Sequence, residues 1–107
     1  MDEREFQKHA DDALTRLYRQ LVSAGDDLGF EADRNGGAIT VEFEHPPAKF
    51  VISPNAPVRQ IWVSAHSRSY KLDWDEVEQT FALGDLTLKK LLEQAIGKQT
   101  GGGEVEL

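Results

Sequence analysis

Nine carboxylates crowd the first third of the chain: Asp2, Glu3, Glu5, Asp11 and Asp12 within one helical pattern, then Asp26, Asp27, Glu31 and Asp33 just beyond it. Charges so grouped repel, each close pair by about 1 kcal/mol in water and by more near a protein surface. A hard cation that prefers oxygen ligands relieves that repulsion, so weak surface metal binding is one chemistry these residues offer. A solvated acidic face that keeps the chain soluble is the other reading of the same residues.

Further chemistry is sparse. His9, His45 and His66 lack the i,i+4 spacing of a metal pair, none stands near a plausible serine nucleophile, and all three read as surface residues. Gly36-Gly37 falls in a turn and Gly101-Gly102-Gly103 in a tail, so neither forms a phosphate-cradling loop. Without a cysteine there is no disulfide framework, no thiolate nucleophile and no resident iron–sulfur cluster of the usual kind. No conventional active site is visible, and a protein that is not an enzyme is expected.

Composition narrows the partners. With 19 acidic and 12 basic residues among 107 the formal charge is −7, which disfavours nucleic acid and favours cations or basic protein surfaces. No apolar run approaches the roughly 18 residues of a membrane span. The start Met-Asp-Glu-Arg-Glu resembles neither a secretory signal nor a transit peptide, so a bacterial cytoplasmic protein is expected.

The elements that must position these residues follow from periodicity. Phe6, Ala10, Ala13, Leu14, Leu17 and Leu21 recur at three- and four-residue spacing and predict an amphipathic helix from Asp2 to about Ala24, stopped by Gly25 as a left-handed cap. The period then changes to two. Asn35-Gly36-Gly37 between Leu28–Arg34 and Ala38–Glu44 is a hairpin signal, and Ile39, Val41 and Phe43 alternate with Thr40, Glu42 and Glu44. His45-Pro46-Pro47 is expected to break the ladder. Further strands are predicted at Lys49–Ser53, Arg59–Ala65 and Ser69–Trp74, with a short sixth over Glu78–Ala82. Asp85 or Thr87 can cap a second helix whose stripe is Leu88, Leu91, Leu92, Ala95 and Ile96 and which ends by Gly97. The expected fold class is α+β: a two-layer α/β sandwich with an antiparallel sheet of five to six strands and both helices on one face. Residues 1–97 form the single domain, and 98–107 are expected to be a frayed, Gly-rich tail.

That architecture leaves one sheet face wet, and it makes Trp62 unusual. Alternation through Gln60-Ile61-Trp62-Val63-Ser64 sends Ile61 and Val63 to the helices and Trp62, with Gln60 and Ser64, to solvent. An aromatic anchor flanked by polar groups is the composition of an interface centre, where a Trp can contribute about 2 kcal/mol or more. A bulge that flips the register is the bland alternative.

The strings Asn35-Gly36-Gly37-Ala38-Ile39-Thr40-Val41-Glu42-Phe43-Glu44, Pro57-Val58-Arg59-Gln60-Ile61-Trp62-Val63-Ser64, Tyr70-Lys71-Leu72-Asp73-Trp74 and Leu91-Leu92-Glu93-Gln94-Ala95 resemble the frataxin family, most closely its bacterial CyaY branch. The resemblance runs from Glu5-Phe6 to about Ala95, and Gln60-Ile61-Trp62 is its most specific segment. It implies a frataxin-like fold and a monomeric regulator or adaptor of iron–sulfur cluster assembly. Such a protein binds iron (Fe2+/Fe3+, with other divalent cations as substitutes) weakly and docks on the cysteine desulfurase and scaffold complex. By position, the resemblance implies iron-binding roles for Asp11, Asp27, Glu31 and Asp33, with Glu3, Glu5, Asp12 and Asp26 nearby. It implies a docking surface of Gln60 and Trp62 with Asn55 and Lys71. A metal-independent acidic interaction module is the alternative function; a ferroxidase or iron store ranks below both.

The chain departs from that pattern in three places. Tyr18, Arg19, Val22, Ser23 and Gly25 stand where relatives carry acids, and Lys8 and Arg16 interleave with the rest, so iron capacity is expected to be low. Gln79 stands where relatives carry a further aromatic. The tail offers few apolar residues to cover the helices.

Overall fold

The computed structural model describes all residues, Met1–Leu107. Its first helix, α1 (Glu3–Leu28), is capped by Asp2, whose side chain accepts the Glu5 N–H at 2.8 Å. Phe6, Ala10, Leu14, Leu17, Leu21 and Gly25 are its buried stripe, at the spacing expected of one helix face. The helix outruns the predicted stop at Gly25 by a turn. The left-handed cap is Gly29 (φ 76°), whose N–H donates to the Gly25 carbonyl. Gly25 is needed for a different reason: a Cβ there would stand 2.7 Å from the Phe30 carbonyl oxygen, where the chain reverses into the sheet.

Seven strands follow in a single antiparallel meander whose spatial order is the chain order: β1 (Phe30–Asn35), β2 (Ala38–Glu44), β3 (Pro47–Asn55), β4 (Gln60–Ala65), β5 (Arg68–Asp75), β6 (Thr80–Leu83) and β7 (Leu86–Thr87). A 3-10 turn, Ala56–Val58, links β3 to β4. The expected sheet of five to six strands gains β7, which at two residues is too short to show a period. Pro47 does not interrupt the ladder. It opens β3 opposite Glu44, a first position that proline tolerates.

Period two holds from β1 to β5, while in β6 the neighbours Phe81 and Ala82 are both buried. Ile39, Val41, Phe43, Phe50, Ile52, Ile61, Val63, Ala65 and Leu72 are buried on one face, and the helices cover them. The second helix, α2 (Leu88–Gln99), is capped by Thr87, which accepts from the Lys90 N–H, and it buries Leu88, Leu91, Leu92, Ala95 and Ile96. The packing joins one continuous core. Each fully buried Leu, Ile or Phe contributes about 1.5–3 kcal/mol by leaving water. The result is the expected α+β sandwich of two layers, and no helix is long and apolar enough to cross a membrane.

The tail differs from expectation. The helix runs past its expected end at Gly97 to Gln99, and residues 100–107 then turn back along the helices: Gly102 N–H donates to the Gly97 carbonyl at 2.6 Å, and Val105 and Leu107 pack, half-buried, against the core. Leu107 N–H donates to Glu93 Oε2 at 2.8 Å. That bond and Lys90, with Nζ 3.8 Å from Oε1, partner a Glu93 carboxylate that is otherwise buried. Two apolar side chains at the very end of the chain supply the packing that the glycines before them lack.

Candidate functional site

The wet sheet face is organised around Trp62. In the β3–β4 ladder it stands opposite Ser53, and in the β4–β5 ladder opposite Lys71. These are short or flexible neighbours, and Trp62 keeps 36% of its surface exposed while Ile61 and Val63 beside it are buried. The register expected from alternation therefore holds, with no bulge at this point.

The indole does not float on this face. Trp62 Nε1 donates to Gln60 Oε1 at 2.9 Å, and Gln60 Nε2 donates to Asp73 Oδ1 at 3.0 Å across the ladder. Gln60 thus accepts with one end of its amide and donates with the other, a pattern that a single orientation of the amide satisfies. Lys71 Nζ lies 5.0 Å from the Trp62 ring centroid, within cation–π range. Strand β4 fixes the backbone, Gln60 fixes the indole edge and Lys71 covers its face. Asn55, expected on this surface, stands opposite Gln60 in the β3–β4 ladder at the rim. Sequence reasoning missed Asp73, although its parity with Lys71 on β5 was a usable signal.

The acidic residues are arranged differently. Asp2, Glu3, Glu5, Asp11, Asp12, Asp26 and Asp27 lie exposed on or just before α1, while Glu31 and Asp33 point from β1 to the wet face, opposite Glu42 and Thr40. No three Asp, Glu or His side chains come together closely enough to share one ion. Asp11 has a partner already. Arg34, on the helix-facing side of β1, places Nη2 3.0 Å from Asp11 Oδ1 and donates from Nη1 to Thr15 Oγ1 at 2.6 Å. Sequence reasoning missed this arginine too, although period two from Phe30 and Ala32 directs it to the helix. Glu42 is met by Lys49 at 4.0 Å. The arrangement gathers negative charge along α1 and β1 but builds no closed coordination shell.

Two histidines are less exposed than expected. His9 stacks on Trp74 with ring centroids 4.0 Å apart and planes 17° from parallel. His66 Nε2 hydrogen-bonds Gln99 Oε1 at 2.9 Å, and Gln99 Nε2 donates to the Pro46 carbonyl at 2.8 Å, tying two turns to the end of α2. His45 is exposed as expected.

Comparisons with known proteins bear on the family and the fold. A family model described as a frataxin-like domain matches residues 1–102. The iron–sulfur cluster assembly protein CyaY of Pseudomonas aeruginosa is 34% identical over 104 residues, covering 89% of this chain and 90% of the relative. The protein of the same description from Pseudomonas paraeruginosa is 33% identical over 104 residues. Among solved structures, frataxin from Psychromonas ingrahamii superposes with a TM-score of 0.80 over 99% of this chain and 97% of that one, at 24% identity.

Proposed function

The chain belongs to the frataxin-like family, and from that premise we propose that it acts in iron–sulfur cluster assembly as an adaptor, docking through the sheet face centred on Trp62. The partner in this reading is the complex of cysteine desulfurase and scaffold protein, met by a monomeric, non-catalytic chain in the bacterial cytoplasm. The observation that carries it is the relay Asp73–Gln60–Trp62, which holds a half-exposed indole in one orientation on an otherwise polar face. A fixed aromatic surrounded by polar groups loses little side-chain freedom on docking, so more of its burial appears as affinity.

Iron enters this reading as cargo or signal, held weakly. The carboxylates of α1 and β1 support recruitment of ferrous or ferric iron, or of another divalent cation, at Asp11, Asp12, Asp26, Asp27, Glu3, Glu5, Glu31 and Asp33. Their dispersion and the Arg34–Asp11 pair keep each contact shallow. The same dispersion favours a second reading, in which the acids serve only to meet a basic partner and metal is incidental.

Backbone amide spectra separate these readings. Addition of the purified desulfurase–scaffold complex broadens Gln60, Trp62, Lys71 and Asp73 before residues of the helix face, and an unaffected sheet face would exclude docking there. Ferrous iron at physiological salt shifts Asp27, Glu31 and Asp33 if iron recruitment is intrinsic, and leaves them unmoved if the acids serve the protein partner alone.

A further inference from the structure

The tip of the first hairpin holds chemistry that neither packing nor docking uses. Asn35 closes β1 opposite Ala38, and Gly36 and Gly37 turn the chain with φ of 61° and 88°. Asn35 is exposed, and unlike Gln60 and Gln99, whose carboxamides are tied at both ends, its carboxamide has no hydrogen-bond partner. The nitrogen that follows it is equally free: the Gly36 N–H lies between the strands and takes no part in the ladder or in the turn bonds. Beyond its chain neighbours, no heavy atom stands within 4 Å of the point a Gly36 Cβ would occupy. A side chain there would crowd the approach of that nitrogen to a neighbouring carbonyl, and glycine offers none.

We propose that Asn35 is a site of spontaneous self-modification, in which the Gly36 amide nitrogen attacks the Asn35 side-chain carbonyl carbon. The new N–C bond closes a succinimide ring, and the side-chain nitrogen leaves as ammonia. Water then adds to either ring carbonyl and breaks its bond to nitrogen, leaving aspartate or isoaspartate at position 35. Cyclisation requires Asn35 to leave its extended pairing with Ala38. That pair is the last of its ladder and β1 is an edge strand, so the tip opens without disturbing a second neighbour. Alternation sets Asn35 on the exposed face of β1 with Glu31 and Asp33. Conversion therefore lengthens that acidic row and adds one negative charge to the present −7, so this face grows more acidic as the molecule ages. The isoaspartate form also routes the main chain through an extra methylene at the closing pair. Neither iron nor docking enters the reaction, which stands apart from the proposed function.

Asn55, the other asparagine of the chain, is an internal control: it precedes Ala56, is half-buried and stands at the cap of the 3-10 turn. Purified protein is aged in neutral and mildly alkaline buffer, checked for fold by circular dichroism, separated by anion exchange and mapped by tandem mass spectrometry. A later-eluting form with one added negative charge accumulates, carrying the amide-to-acid change at position 35 and not at Asn55. It forms faster in the alkaline buffer, because the deprotonated amide nitrogen is the attacking species. Asn35→Gln, whose longer side chain must close a larger ring, loses this form. An amide that persists at position 35 in the folded protein while urea-unfolded protein converts would overturn the proposal. Equal conversion at Asn55, or the same acidic form from Asn35→Gln, would overturn it as well.

Discussion

Trp62 and Gln60, two residues apart on one strand face, share a hydrogen bond of 2.9 Å that turns an exposed indole into an oriented one. Gln60 can hold Trp62 because Asp73 holds Gln60. Replacing Gln60 by Glu keeps an acceptor for the indole but sets a second carboxylate against Asp73. Gln60→Glu and Asp73→Ala are therefore expected to weaken docking on the desulfurase–scaffold complex by about fivefold to tenfold, the worth of one oriented hydrogen bond. Biolayer interferometry with fold checked by circular dichroism measures this, and affinities equal to wild type would show that the relay does not matter.

Gly25 presents opposing effects of known size. Alanine is favoured over glycine inside a helix by about 1 kcal/mol, so propensity alone makes Gly25→Ala stabilising. A Cβ 2.7 Å from the Phe30 carbonyl oxygen forces α1 away from β1, and overpacking of this kind costs about 1–3 kcal/mol. The clash is with backbone and should win. Urea unfolding is expected to show a lower midpoint for Gly25→Ala; a higher midpoint would mean that the helix end shifts freely.

The tail supplies stability through its last residues. Removing Glu104–Leu107 uncovers the surface under Val105 and Leu107 and strips Glu93 of the Leu107 N–H. The loss is expected to be about 1–2 kcal/mol, which for a domain of this size lowers Tm by roughly 5–15 °C. An unchanged melting temperature would show that the docked tail contributes nothing.

The Arg34–Asp11 pair sets the strength of the acidic surface more than the stability of the fold. Asp11 is 73% exposed and Arg34 24%, so Arg34→Ala is expected to cost only about 1 kcal/mol or less. It also frees the Asp11 carboxylate and removes a cation beside it, so divalent-cation shifts at Asp11 should grow. Titration at low and physiological salt checks this, and an Asp11 response no larger than wild type would remove Arg34 as the limiting group.

What the sequence revealed was what burial imposes. The α1 stripe from Phe6 to Leu21 and the alternation through Ile39, Val41 and Phe43 are visible because one side of each element must leave water. The position of Trp62 was visible for the same reason. Its partners were not: the strands expected at Arg59–Ala65 and Ser69–Trp74 leave three residues between them, whereas the chain turns over His66-Ser67 alone, and that register sets Trp62 beside Lys71 and Gln60 beside Asp73. Other features depend on where separate elements cross. Gly25 looks like a helix stop until Phe30 is known to pass against it. His9 looks like a surface residue until α1 is laid over Trp74. Val105 and Leu107 are too few and too far along a Gly-rich segment to signal docking, because the groove that receives them is made by two helices distant in sequence.

The central claim is that the sheet face around Trp62 is the docking surface, and the affinity of Trp62→Ala for the purified cysteine desulfurase–scaffold complex tests it most directly. Trp62 is half-exposed and outside the core, so the variant should keep its fold. Its dissociation constant is expected to rise about thirtyfold or more over wild type, the loss typical of a central aromatic anchor. A folded Trp62→Ala protein that binds as tightly as wild type would contradict the account.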